Sequence, residues 1–130
     1  MNKNILSSME ITPMTEEDLQ SWLDKRDRIH LVFFDKQTPV GCVNFYHHKT
    51  CDPNYEVGYL VDPDFRGKGV AQEMLKQALV YAKSTLKIKR IEQVYIKESN
   101  IASKRVLEKN GFILDRYNKV KGRYYYYKNL

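Results

Sequence analysis

Between Tyr55 and Ser84 the chain passes from a strand pattern through a proline break and a glycine-bearing basic turn into a long amphipathic helix. That succession constrains the fold more than any other feature of the sequence. Tyr55 to Val61 is rich enough in β-branched and aromatic residues for a strand. Asp62, Pro63 and Asp64 end it. From Gly69 to Ser84, Val70, Met74 and Ala78 share a face with Ala71, Leu75, Leu79 and Ala82, at spacings of three and four. A strand that feeds a helix through a tight turn belongs to a domain that mixes both elements around a sheet.

The remaining patterns complete such a domain. Ile5 to Ile11 reads as a first strand. Thr15 can cap a helix from Glu16 to about Arg28, with Glu16, Glu17 and Asp18 at its electropositive end and Leu19, Trp22 and Leu23 on a core face. His30 to Phe34 and Val40 to Tyr46 make a hairpin around Asp35 to Pro39. Arg90 to Ile96 is a strand, and Ile101 to Lys109 a helix stopped by Asn110 and Gly111. Phe112 to Tyr117 and Gly122 to Tyr127 close the chain as a hairpin around Asn118 to Lys121. The expected order is β-α-β-β-β-α-β-α-β-β: an α/β fold with a mixed, mostly antiparallel central sheet of about seven strands and three helices. At 130 residues, 1–130 is expected to be a single domain.

Composition removes several classes. A chain that is 42% hydrophobic and 29% charged folds. No stretch approaches a membrane span, and Met1 to Ser8 has no signal-peptide apolar run. Two cysteines, Cys42 and Cys51, cannot make a disulfide framework, which suggests the reduced cytoplasm. Cys42, in an apolar strand pattern, is expected to be a buried small hydrophobe. The net charge is +6, from 22 basic and 16 acidic residues. The basic residues are scattered, so a solvated basic face is the first reading and attraction for a phosphate-bearing ligand the second.

Chemistry concentrates in Arg66-Gly67-Lys68-Gly69-Val70-Ala71. A glycine turn opening a helix gathers backbone N–H groups at the positive end of the helix dipole, where a phosphate binds. Arg66 and Lys68 add fixed charge. Known nucleotide loops fit poorly: Gly67-Lys68 is followed by Gly69 rather than Ser or Thr, and Gln72 stands where a dinucleotide fingerprint needs glycine. Downstream, Asn100-Ile101-Ala102-Ser103 precedes Lys109-Asn110-Gly111-Phe112. Taken alone, that second motif reads as a helix cap and a glycine stop.

Together, the two motifs and their flanking elements resemble the GNAT superfamily of N-acetyltransferases. Arg66, Gly69 and Ala71 match its Gln/Arg-x-x-Gly-x-Gly/Ala loop, and the Asn-x-x-Ser motif is similar to the branch that includes ribosomal-protein N-terminal acetyltransferases. The resemblance implies an acetyl-CoA site with splayed central strands. The pantetheine arm would bond the backbone around Leu60 and Val61. The pyrophosphate would sit on Arg66, Gly67, Lys68, Gly69, Val70 and Ala71. Asn100 and Ser103 would line the arm or the nucleotide end. It also implies direct transfer to an amine, with Glu56 as candidate base and a backbone N–H near Tyr59 or Leu60 polarising the thioester carbonyl. For Glu56 the other reading is an exposed strand glutamate beside a cross-strand cation.

One position departs from the family. Leu107 stands where many members place a tyrosine that protonates the leaving thiolate. That motivates a second function, a non-catalytic acyl-CoA-binding module. A third is a basic nucleic-acid-binding protein, disfavoured because no nucleic-acid motif appears. The acceptor is left open among a small-molecule amine, an antibiotic, a protein N-terminus and a charged tRNA. A homodimer is also left open. No metal is expected, since His47, His48, Cys51 and Asp52 lack ligand spacing. His47 could border the acceptor pocket. Tyr124 to Tyr127 reads as two packed and two half-exposed rings, with an aromatic wall for the acceptor or a substitute acid as the alternative.

Overall fold

Strands β1 (Met9–Ile11), β2 (Arg28–Asp35), β3 (Thr38–Tyr46) and β4 (Glu56–Val61) lie side by side in chain order, each antiparallel to the next. Strands β5 (Arg90–Lys97), β6 (Ile113–Asn118) and β7 (Arg123–Asn129) form a second antiparallel sheet with β7 in the middle. The structure, a computed structural model, describes residues 9–11, 17, 20, 21, 27–47 and 53–130. Helix α1 spans Val70–Ser84 and helix α2 spans Ile101–Lys109. Ile5 to Ser8 and most of the expected first helix, including Thr15 and Trp22, lie outside the described residues. Within that helix Glu17, Gln20 and Ser21 have helical backbone and are exposed.

Among the described residues the strands follow the expected order, and the splay divides their hydrogen bonding in two. Strands β4 and β5 meet at a parallel bridge between Tyr55 and Ile91. There the Tyr55 N–H donates to the Arg90 carbonyl at 3.2 Å, and the Glu92 N–H donates to the Tyr55 carbonyl at 2.8 Å. Among the described residues the two strands pair nowhere beyond that point.

Alternation along the strands decides what packs beneath them. Ile29, Leu31 and Phe33 of β2 stand opposite Phe45, Val43 and Gly41 of β3, all facing α1. Helix α1 returns Val70, Met74, Leu75, Ala78, Leu79 and Ala82, the face its periodicity predicts. Each large apolar side chain sealed in this layer contributes about 1.5–3 kcal/mol. Gly41 is required there, because a Cβ would stand 2.4 Å from the Leu60 carbonyl oxygen and 2.8 Å from Met74 Sδ.

Cys42 corrects one expectation, being only half-buried. The β2–β3 register slips between Phe33 and Phe34, leaving Val40 as the extra residue of a bulge. Val40 and Val43 can then both point inward, which turns Cys42 to the other face. The tyrosine run behaves as expected: Tyr125 and Tyr126 are buried, Tyr124 and Tyr127 half-buried. Lys104 lies over the Tyr124 ring, so Tyr124 and Tyr126 face α2 while Tyr125 and Tyr127 face away.

Candidate active site

Parallel strands that part company leave a crevice at their carboxyl ends, and each strand here leads into a helix at that end. After β4, Pro63–Phe65 forms a single 3-10 turn whose Asp64 N–H is capped by the Asp62 carboxylate at 3.0 Å. Arg66 then folds back, its Nε donating to the Val61 carbonyl at 3.1 Å. Gly67 and Gly69 follow with φ of +73° and +77°, angles that favour glycine. The first α1 bond joins the Glu73 N–H to the Gly69 carbonyl at 3.2 Å, and no side chain caps the helix. The N–H groups of Val70, Ala71 and Gln72 thus lie ahead of the helical ladder, at the positive end of the dipole. No heavy atom comes within 4 Å of where a Cβ would stand at Gly67 or Gly69, so the turn opens outward.

Helix α2 begins differently. Asn100 caps it, its Oδ1 accepting from the Ser103 N–H at 3.2 Å. The helix ends at Asn110, whose side-chain amide donates to the Gln72 carbonyl at 3.2 Å. That bond ties the end of α2 to the first turn of α1.

Two cavities lie between these parts. A cleft of about 560 Å³ is lined by Leu60, Val61, Arg66, Gly67, Gly69, Val70, Ala71, Asn100 and Ser103 among the expected residues. A slot of about 570 Å³ separates β4 from β5 and is lined by Glu56, Val94, Tyr95, Ile96, Lys97 and Leu107, among others. Tyr59, Asn100 and Ser103 line both. Lys68 is the expected loop residue that lines neither; its ammonium donates to the Asp64 carbonyl at 3.5 Å.

Tyr59 gives the junction its chemistry. Its hydroxyl is buried without a hydrogen-bond partner. Burial holds its pKa above the ordinary tyrosine value, and the nearby Ser103 opposes only part of that shift. The hydroxyl therefore stays protonated at neutral pH, a donor at the floor of the slot. Sequence reasoning had used only the backbone N–H of Tyr59. It also missed Phe65, Gln72, Ala102 and Val106 in the cleft and Tyr46, Tyr95 and Lys97 in the slot. Strand alternation gave the signal for Tyr95 and Lys97, but their neighbours depend on register.

Glu56 stands opposite Tyr46 on β3, on the face of β4 turned away from α1. It shares the slot with Tyr59, which lies on the α1 side. Leu107 is fully buried at the slot. His47 packs against the Tyr55 ring, centroids 5.4 Å apart, and lines a separate cavity with Lys87 and Lys89. His48, Cys51 and Asp52 lie outside the described residues. Among the described residues no group of His, Cys, Asp and Glu could hold a metal ion, and no helix is long and apolar enough to cross a membrane.

Comparison with known proteins agrees with this architecture. The uncharacterized N-acetyltransferase YnaD of Bacillus subtilis is 26% identical over 115 residues; the match covers 85% of this chain and 66% of the relative. The chain thus spans just under two thirds of that relative. Among solved structures, the spermidine N-acetyltransferase of Vibrio cholerae in complex with CoA and spermine aligns over 95% of this chain and 96% of its own, at 14% identity and a TM-score of 0.76. A ribosomal L7/L12 α-N-protein acetyltransferase in complex with CoA aligns over 88% of this chain and 68% of its own, at 17% identity and a TM-score of 0.69. The profile of the acetyltransferase (GNAT) domain matches residues 3–113, and the chain belongs to the GNAT acetyltransferase family.

Proposed function

We propose that this chain transfers an acetyl group from acetyl-CoA to a primary amine by direct attack on the thioester, as one acetyltransferase domain in the cytoplasm. The observation that carries the reading is the uncapped start of α1, opening onto a cleft that meets the slot at an unpartnered Tyr59 hydroxyl. Both features fit the donor: an outward-opening turn of N–H groups suits a pyrophosphate, and a buried orphan hydroxyl suits a polar arm. When bound, acetyl-CoA supplies an activated acyl carbon and a thiolate leaving group.

The chain's residues do the rest. The N–H groups of Gly69, Val70 and Ala71 bind phosphate oxygens, while Arg66 braces the turn against β4 and presents its remaining donors. Leu60 and Val61 border the arm. The Val61 carbonyl is already engaged by Arg66, and the Leu60 backbone is turned toward β3, so backbone bonding falls to the Val61 N–H. Asn100 and Ser103 line the passage. Of the two expected donors, Tyr59 and Leu60, the Tyr59 N–H faces away from β3 and polarises the acyl carbonyl. Glu56 accepts the ammonium proton, since an amine of pKa about 10 attacks only after losing it. Leu107, at the slot, has no proton to give the thiolate. A thiol of pKa about 8.5 departs without that help far more easily than an alcohol would.

The test is acetylation of an amine panel with Glu56→Gln beside the parent. Turnover is expected to fall about 10²-fold near pH 7 and progressively less as alkaline pH deprotonates the amine. Tight acetyl-CoA binding with no transfer to any amine would instead favour a binding module.

A further inference from the structure

The face of the slot turned away from the helices carries a charge arrangement that acetyl transfer alone does not explain. Lys97 of β5 and Arg123 of β7 stand directly opposite each other. Like charges in that register repel and destabilise the strand pair. Among the described residues neither forms an ion pair. Lys97 lines the slot, and the Arg123 guanidinium lies 4.0 Å above the ring of Tyr95, which lines it too. Stacking occupies the flat face of a guanidinium and leaves its in-plane N–H donors free to fork onto a carboxylate or phosphate.

Across the slot, β3 and β4 present Tyr46 and Glu56 on the same side, with Arg28 set 5.9 Å over the Tyr46 ring. Among the described residues lining the slot, Glu56 is the carboxylate. Glu56 and Lys97 thus line one slot from opposite strands, with Arg123 beside Tyr95 on the Lys97 bank and Arg28 beside Tyr46 on the Glu56 bank. A polycation meets repulsion there. A molecule that is an ammonium at one end and an anion at the other is matched at both.

Resting on the transferase reading, we propose that the acceptor is a primary amine bearing a carboxylate or phosphate, its anionic group held by Lys97 and Arg123 and its amine directed to Glu56. The amine nitrogen bonds to the acyl carbon as the carbon–sulfur bond breaks. The ammonium proton passes to Glu56, and the anionic group is unchanged in the product.

Matched amines test this with acetyl-CoA as donor: O-phosphoethanolamine against ethanolamine, glycine against glycinamide, and spermidine. The phosphorylated or carboxylated member of a pair is expected to have a kcat/KM at least about tenfold above its partner, the effect of a charge-assisted hydrogen bond. Which pair shows it tells phosphate from carboxylate. The double substitution Lys97→Gln and Arg123→Gln should erase that ratio through KM, while Arg123→Lys should retain most of it. Equal rates within both pairs, or preference for spermidine, overturns the proposal and leaves the transferase reading standing. Bound acetyl-CoA with no transfer to any of the five amines overturns the proposal, and the wider amine panel then decides the transferase reading.

Discussion

Two helices begin at the same crevice, and they begin in opposite ways. Helix α2 is closed by its own sequence: Asn100 accepts the Ser103 N–H, and nothing further is needed there. Helix α1 starts from Gly69 at φ +77° with no side chain over its first turn. The contrast separates a helix end that serves the fold from one that serves a ligand. Both lie beside the same cleft, so exposure does not distinguish them. The presence of an internal acceptor does.

The sharpest way to break this comparison is to fill the bare end. Gly69→Glu puts a carboxylate where an anion should bind, at a backbone angle that costs a non-glycine residue about 1–2 kcal/mol. Acetyl-CoA affinity in calorimetry should fall by about 10²-fold or more. An unchanged affinity would take the pyrophosphate away from this turn. Removing the cap at the other end should act mainly on stability: Asn100→Ala should cost about 1 kcal/mol in denaturant unfolding and change acetyl-CoA affinity only a few-fold. An affinity loss as large as that of Gly69→Glu would erase the distinction between the two ends. The smallest effect is expected at Lys68, whose ammonium rests on the Asp64 carbonyl. For Lys68→Gln the affinity should stay within about twofold, as for an exposed charge, and a tenfold loss would place that ammonium in the cradle.

What was legible in the sequence was what local chemistry decides. The turn from Arg66 to Ala71, the inward face of α1 and the stop at Asn110 and Gly111 each depend on residues close together in the chain, and each stands where its pattern puts it. What was not legible depends on register between distant segments. Cys42 turns outward because a bulge around Val40 shifts the alternation of β3. Lys97 meets Arg123 only after a second irregularity between Ile91 and Val94 sets the β5–β7 pairing. Basic residues and tyrosines that do not interleave along the chain interleave across strands: Arg116 lies 4.1 Å over Tyr125, and Arg90 lies 4.4 Å over Tyr127. The orphan hydroxyl of Tyr59 is likewise a fact of three dimensions, since burial and the want of a partner have no sequence pattern.

The Tyr55–Ile91 bridge has a mechanical consequence. It pins two diverging ribbons at one end through two hydrogen bonds, and β4 then runs six residues to its tip. At about 3.3 Å per residue that is a lever arm of roughly 20 Å, so a tilt of about 5° at the pin widens the far aperture by about 1.7 Å. A shift of that size is enough to change which molecules pass the tip. Gauge and grip are set at opposite ends of the same strand.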